Sequence, residues 1–323
     1  MTVFRNSFKA VMTAVALTAA TIMPAAAQEF PGSRGLEFVA GYGPGGGHDT
    51  MLRMMAKIIQ SKKIVDASIN VVNKPGGAGA TSLGYLNSHK GDGHYLMSAT
   101  SSFITTPLTT DVGLNYTDFT PIARLGIDPV IMVVPAKSPI KSLDDVKNAE
   151  RVLNIAGGGR GQIENIVTLL LGDRMEKTFN FIPFQGDGEV STAVLSGQVD
   201  AAMINPGAIK EFIEAGRVRA IAISTDERAI MFPDLPTFKE SGFDVVASVF
   251  RGVVAAKDIP EDEKNYLSNM VEKLQATDAW KTQYLEPNGI IPGYLGPDAF
   301  GAYLEQTNEL YRSTLERLDL LKG

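Results

Sequence analysis

The sequence predicts an α/β protein of two lobes, with two interlobe crossings of the chain and a ligand cleft where the lobes face. Three observations point there. A chain of 323 residues, 44% of them hydrophobic, can bury more core than one lobe usually encloses. Short β-branched runs alternate with stretches of helical apolar spacing, the pattern of strand–helix–strand units with largely parallel sheets. Proline, glycine and polar residues break that rhythm around 120–128 and 241–248, which marks both as candidate crossings. Lobe 1 is therefore expected to comprise 28–126 with 247–323, and lobe 2 to comprise 127–246.

The first element is a leader. Arg5 and Lys9 precede an apolar run from Val11 to Met23, and Pro24-Ala25-Ala26-Ala27 supplies a small-residue cleavage pair. That layout predicts a secretory signal peptide over 1–27, cleaved after Ala27. The run is too short for a retained anchor, and with no Cys in the chain there is no lipoprotein acceptor. Its two positive and no negative residues take the formal net charge from −6 to −8 on removal.

Strands are then expected at Leu36 to Ala40, Ile69 to Val72 and Tyr95 to Ala99. Met51, Met55 and Ile59, flanked by Leu52 and Ile58, make a helical stripe whose methionines fill core gaps. After a strand at Val130 to Val134, Ser142 to Asp145 reads as a capping box. A strand at Leu153 to Ala156 precedes the clearest helix, where Ile163, Ile166, Val167, Leu170 and Leu171 form one apolar stripe. Phe179 to Phe184, Val199 to Ile204, Val218 to Ile223 and Val245 to Val254 complete the strands, and Tyr266 to Leu274 and Phe300 to Leu321 the helices.

Composition removes several functions. The missing Cys excludes disulfides, thiolate nucleophiles and iron–sulfur sites. Thirty basic against 36 acidic residues argues against a nucleic-acid partner. The three histidines show no metal-binding spacing, and no G-x-S-x-G elbow occurs, so no metal, cofactor or catalytic residue is expected.

Glycine-rich turns between strand and helix are the informative feature. Gly41 to Thr50 (GYGPGGGHDT) comes first, Gly157 to Gln162 (GGGRGQ) holds the matching place further along, and Gln185-Gly186-Asp187-Gly188 is a third. Glycine lets backbone N–H groups turn toward an anion, and the following helix adds its positive dipole end. Plain tight connections are the alternative for each loop alone. The first loop also fits G-x-G-x-x-G with Asp66 at dinucleotide spacing, but export, Pro44 and the lack of hydride-transfer residues oppose that reading.

Ordered motifs then carry a resemblance. Pro44 to Asp49, Asn73-Lys74-Pro75-Gly76-Gly77-Ala78-Gly79, Asp92-Gly93-His94, Pro183-Phe184-Gln185-Gly186, Leu195 to Asp200, Gly216 to Ala220 and Pro233 to Gly242 follow one another along the mature chain. In this series the chain resembles the solute receptors of tripartite tricarboxylate transporters, the TctC or Bug type. The resemblance implies a monomeric, two-lobed periplasmic binding protein of the two-crossing type, delivering a small carboxylate to membrane permease subunits. Carried over residue by residue, Tyr42, Gly45, Gly46, Gly47, His48, Asp49 and Thr50 form one jaw. Gly159, Arg160, Gly161, Gln162, Gln185, Gly186 and Asp187 form the other, with Asn205 a further polar contact.

Chemistry qualifies that transfer. Arg160 offers a charge-assisted bond to a carboxylate, with a solvated loop arginine as the alternative. Arg251, after Phe250, either touches the ligand or holds the hinge in an ion pair. Asp49 suits capping and loop orientation better than anion contact, and Asp187 meets the same objection. Where many relatives carry Ser or Thr and then His, this chain runs Arg160-Gly161-Gln162-Ile163-Glu164-Asn165, which favours a di- or tricarboxylate ligand. A receptor signalling to a membrane sensor is the second reading, and a secreted enzyme using the same cleft the third.

Overall fold

The computed structural model describes residues 30–322 apart from Gln185 and Ile230; the leader expected over 1–27 lies outside the described residues, as does the expected contact Gln185. Strand β1 (Leu36–Ala40) leads into α1 (Gly47–Ser61), followed by β2 (Ile69–Asn73), α2 (Ala80–Asn87), β3 (Tyr95–Ala99), α3 (Ser101–Thr109) and β4 (Phe119–Asp128). Next come β5 (Ile131–Pro135), α4 (Leu143–Asn148), β6 (Asn154–Gly157), α5 (Ile163–Met175), β7 (Asn180–Pro183), α6 (Asp187–Ser196), β8 (Ala201–Ile204), α7 (Pro206–Glu214) and β9 (Val218–Ile223). The chain closes with β10 (Val249–Ala256), α8 (Glu261–Gln275), a single turn α9 (Asp278–Trp280), β11 (Ile291–Leu295) and α10 (Pro297–Arg317).

These strands form two sheets, ordered β11-β4-β10-β3-β1-β2 and β7-β6-β8-β5-β9. The chain leaves the first sheet between β4 and β5 and returns between β9 and β10. Pairing is parallel among β1, β2 and β3 and among β6, β7 and β8. The expectation of largely parallel sheets stops there, because β5 and β10 run antiparallel to both neighbours and β11 to β4. A strand entering directly from the other sheet arrives at the end where its neighbours finish, with no helical crossover to reverse it.

The stretch around 120–128 is a ten-residue strand rather than an interruption, with the crossing at its end. Register shifts against β10 absorb its irregularity. Gly126 is required by proximity: a Cβ there would lie 2.7 Å from Ile290 Cγ2 and 3.1 Å from the Ile291 carbonyl oxygen. Strand β11 was not expected, because Pro292 and Gly293 interrupt its pairing with β4.

The expected apolar stripes are the buried faces. Met51, Leu52, Met55, Ile58 and Ile59 of α1 are buried, as are Ile163, Ile166, Val167 and Leu171 of α5. One cluster of buried residues runs from the first sheet (Val39, Met97, Phe250) through Phe300, Tyr311 and Leu315 of α10 and Ile163 of α5 to Met132 and Met203 of the second sheet. Helix α10 packs on β4, α3 and α5, and its Arg317 forms an ion pair with Asp173. The two sheets are thus tied by packing as well as by the crossings.

Candidate ligand-binding site

Each sheet contains a reversal of strand order, β2-β1-β3 in one and β7-β6-β8 in the other. Crossover helices on opposite faces of the sheet leave a crevice beyond the carboxyl ends of strands at such a reversal, the usual ligand position in α/β sheets. Here the loops after β1, β3 and β6 meet around one cleft of about 480 Å³. Tyr42, Gly46, Gly47 and His48 line it from the first loop, Thr100, Ser101 and Ser102 from the second, and Arg160, Gly161, Gln162 and Glu164 from the third.

Three helices start at this cleft. The N-caps of α1, α3 and α5 are Gly46, Thr100 and Gln162, and none makes a side-chain capping bond. First-turn amides have no intrahelical acceptor and carry the positive end of the helix dipole. Convergence of three such ends makes a cavity whose fixed partial charges suit an anion.

The first loop is held from behind. Asp49, 3% exposed, accepts bonds from the Gly45 N–H, from Arg53 Nε and from Asn73 Nδ2, all at 2.9 Å. The same Asn73 amide donates to the Tyr42 carbonyl at 2.9 Å. Hydrogen bonding by Arg53 above all, then by Gly45 and Asn73, outweighs burial and holds the Asp49 carboxyl down at about 2. Thr50 turns its hydroxyl to the Gly45 carbonyl. Asp49, Thr50 and Gly45 therefore shape the loop and do not line the cleft.

Tyr42 and His48 form the aromatic wall, with ring centroids 4.6 Å apart. The Tyr42 hydroxyl donates to the Ala78 carbonyl at 2.9 Å, as does Thr106 at 2.7 Å. His48 meets Ser98 Oγ through Nδ1 (2.8 Å) and Thr100 Oγ1 through Nε2 (3.2 Å). Burial first, and the nearby Arg251 charge second, push His48 down to about 4, so its ring is neutral at physiological pH.

Arg251 lies behind this loop and does not line the cleft. Its Nη2 donates to Asp128, and Asn205 Nδ2 donates to the other Asp128 oxygen. Burial alone would weaken the guanidinium as a base, but the Asp128 charge prevails and raises it. The Asn205 carbonyl oxygen accepts from Gly207 N–H at 2.7 Å, capping α7. One chain of polar contacts thus links β10, the β4–β5 crossing and α7. Gly47 is required here, since a Cβ would come 2.6 Å from Arg251 Nη1.

Gly159 sits behind Gln162 in the third loop, and Gly186 and Asp187 begin α6 outside the cleft lining. Desolvation on the protein side, then the Asp128 charge, raises the pKa of Asp187. Sequence reasoning missed Thr100, Ser101 and Ser102, whose strand-to-helix turn carries no glycine to mark it. It also passed over Glu164 as a site residue. A larger hollow of about 670 Å³ lies along the β9 edge, but its arginine, Arg219, is spent on the carbonyls of Ala136, Ser138 and Ile140.

Comparison with known proteins adds to this geometry. The family model TctC, tripartite tricarboxylate transporter family receptor, matches residues 52–298. A protein of the gbd 5' region of Cupriavidus necator is 28% identical over 93% of each chain. BugT of Bordetella pertussis is 29% identical over 74% of this chain and 76% of its own. Among solved structures, a TctC solute-binding protein from Polaromonas without ligand superposes with a TM-score of 0.80 at 25% identity, covering 87% of this chain and 98% of that one. Two Rhodopseudomonas palustris proteins share the fold. The adipate-bound one has a TM-score of 0.73 at 20% identity (91% and 99% covered), and malate-bound MatC 0.66 at 22% (87% and 98%).

Proposed function

Because the chain belongs to the tripartite tricarboxylate transporter receptor family of periplasmic solute-binding proteins, we propose that it captures a small organic di- or tricarboxylate in the cleft between its sheets and presents it to the permease subunits of such a transporter. The observation that carries this reading is the convergence of three helix N-termini without side-chain caps on one cavity. Backbone amides and dipole ends act within a few ångströms, whereas the net negative charge of the molecule is screened beyond roughly 8 Å. Arg160, exposed at the cleft mouth, supplies the mobile cation. Malate and adipate bound to proteins of the same fold support the ligand class.

Binding energy would favour one relative placement of the lobes, and a permease would recognise that form. The polar chain from Arg251 through Asp128 to Asn205 spans the crossing and is the element such a movement would load. Calorimetric titration at pH 7 against succinate, malate, adipate, citrate and neutral amino acids tests the proposal. Saturable binding of at least one polycarboxylate well below millimolar concentration is expected. Failure of all of them, or preference for an amino acid, would overturn the ligand class.

A further inference from the structure

Glu164 is out of place in an anion site. It lies in the first turn of α5 and lines the cleft, yet its Oε2 is buried and has no hydrogen-bond partner among the described residues. Its own backbone N–H bonds the carboxyl. The titratable groups facing it are Asp187 from α6, Asp128 from the end of β4 and Tyr311 from α10. Tyr311 is itself bonded to Ser101 at 3.0 Å. Of the nearby cations, Arg251 is committed to Asp128 and Arg160, on Glu164's own loop, is solvent-exposed. His48, lining the opposite wall, is neutral at physiological pH.

We infer that Glu164 is a specificity-determining residue that works as a neutral acid, donating its O–H to one carboxylate of the ligand, so that capture of a dianion takes up one proton from solvent. The inference rests on the carboxylate reading above. The balance is simple: ligand dianion, Glu164 carboxylate and one buffer proton become a complex in which the proton sits on Glu164 and is shared with a ligand oxygen. Burial chiefly, with repulsion from Asp187 and Asp128, already lifts the free carboxyl to about 7. An arriving carboxylate adds a further negative neighbour and pushes it higher. A ligand bearing an ammonium group at this wall would do the opposite and release a proton.

Calorimetry with succinate, malate and adipate between pH 7 and 8.5, in two buffers of different ionisation enthalpy, reads the proton directly. These acids are fully ionised over that range. For a group near 7 in the free protein and protonated in the complex, affinity should fall more than tenfold from pH 7 to 8.5, with uptake approaching one proton at the upper end. Glu164→Gln keeps an N–H donor in the same shape, so it should bind with a flat pH profile and no proton uptake. A readout without ligand keeps the two readings apart: Glu164→Gln should raise Tm over the parent by much more at pH 8 than at pH 5, since the raised carboxyl costs stability progressively as pH climbs from its unfolded value of 4.5 through about 7. No binding by any of the three acids overturns the proposed function, and this inference with it. Binding with a flat profile in the parent, or equal Tm for parent and variant at both pH values, overturns this inference alone.

Discussion

Asp49 acts on the loop, and its loss should be felt as shape. Its carboxylate accepts from Gly45, Arg53 and Asn73 together. Asp49→Ala is expected to destabilise the fold by about 1–3 kcal/mol in urea denaturation, because buried donors lose their acceptor. Carboxylate affinity should fall with it. The sign of the pH effect follows from the lowered pKa. Asp49 contributes stability above its unfolded value of 3.8 that is lost as pH falls toward about 2. His48 behaves likewise over a higher window, its contribution being full above 6.5 and lost as pH falls toward 4. Melting of the parent beside His48→Gln in buffers from pH 7 to 4 should show that decline as a Tm difference that changes with pH, and a constant difference would place His48 in contact with solvent. Arg160→Ala should weaken carboxylate binding about five- to tenfold, roughly 1–1.4 kcal/mol, with unchanged stability, since the residue is exposed at the cleft mouth. Tyr42, His48 and Arg160, carried over through the family resemblance, line the cleft from the glycine-rich strand-to-helix turns. Glu164 could not be read from the sequence, since a carboxylate in an anion site reads as repulsion until its missing partner is seen.

The helix ends carry the site, and α3 shows why it was only partly legible. Its start, Thr100-Ser101-Ser102, has no glycine, so nothing in its spacing separates it from an ordinary loop. Its place at the cleft comes from the order β2-β1-β3, a long-range pairing that local pattern does not encode. Helix α1 meets the crossing through Gly47 and Arg251. Gly47→Ala would drive a methyl against Arg251 Nη1 and loosen its hold on Asp128. Binding should fall at least tenfold, whereas stability should change by no more than about 1–2 kcal/mol, because alanine favours the helix. Arg251→Ala removes the cation outright and leaves Asp128 buried without it, so a loss of about 3 kcal/mol is expected in urea denaturation.

For the molecule as a whole, the two-lobed α/β class was legible because alternating strand and helix patterns survive in a single sequence. The parts that were not legible are those where one segment serves another. Pro121 and Gly126 disguise β4, whose irregular backbone fits against β10 and the Ile290–Ile291 segment. Pro292 and Gly293 hide β11 in the same way. Helix α10, 21 residues long, packs on elements of both sheets, so its amphipathic stripe reports burial without saying against what. Any lobe movement must therefore be compatible with α10 and with the Arg251–Asp128–Asn205 chain. The central claim is that a polycarboxylate is gripped by the first turns of α1, α3 and α5. A crystal structure with the tightest-binding acid tests this most directly. The expected result is one ligand carboxylate within hydrogen-bond reach of the backbone N–H groups at Gly47 and His48, and a second near Glu164 and Arg160. A ligand seated elsewhere, such as the hollow along β9, or held in the cleft without contact to any of the three helix ends, would contradict it.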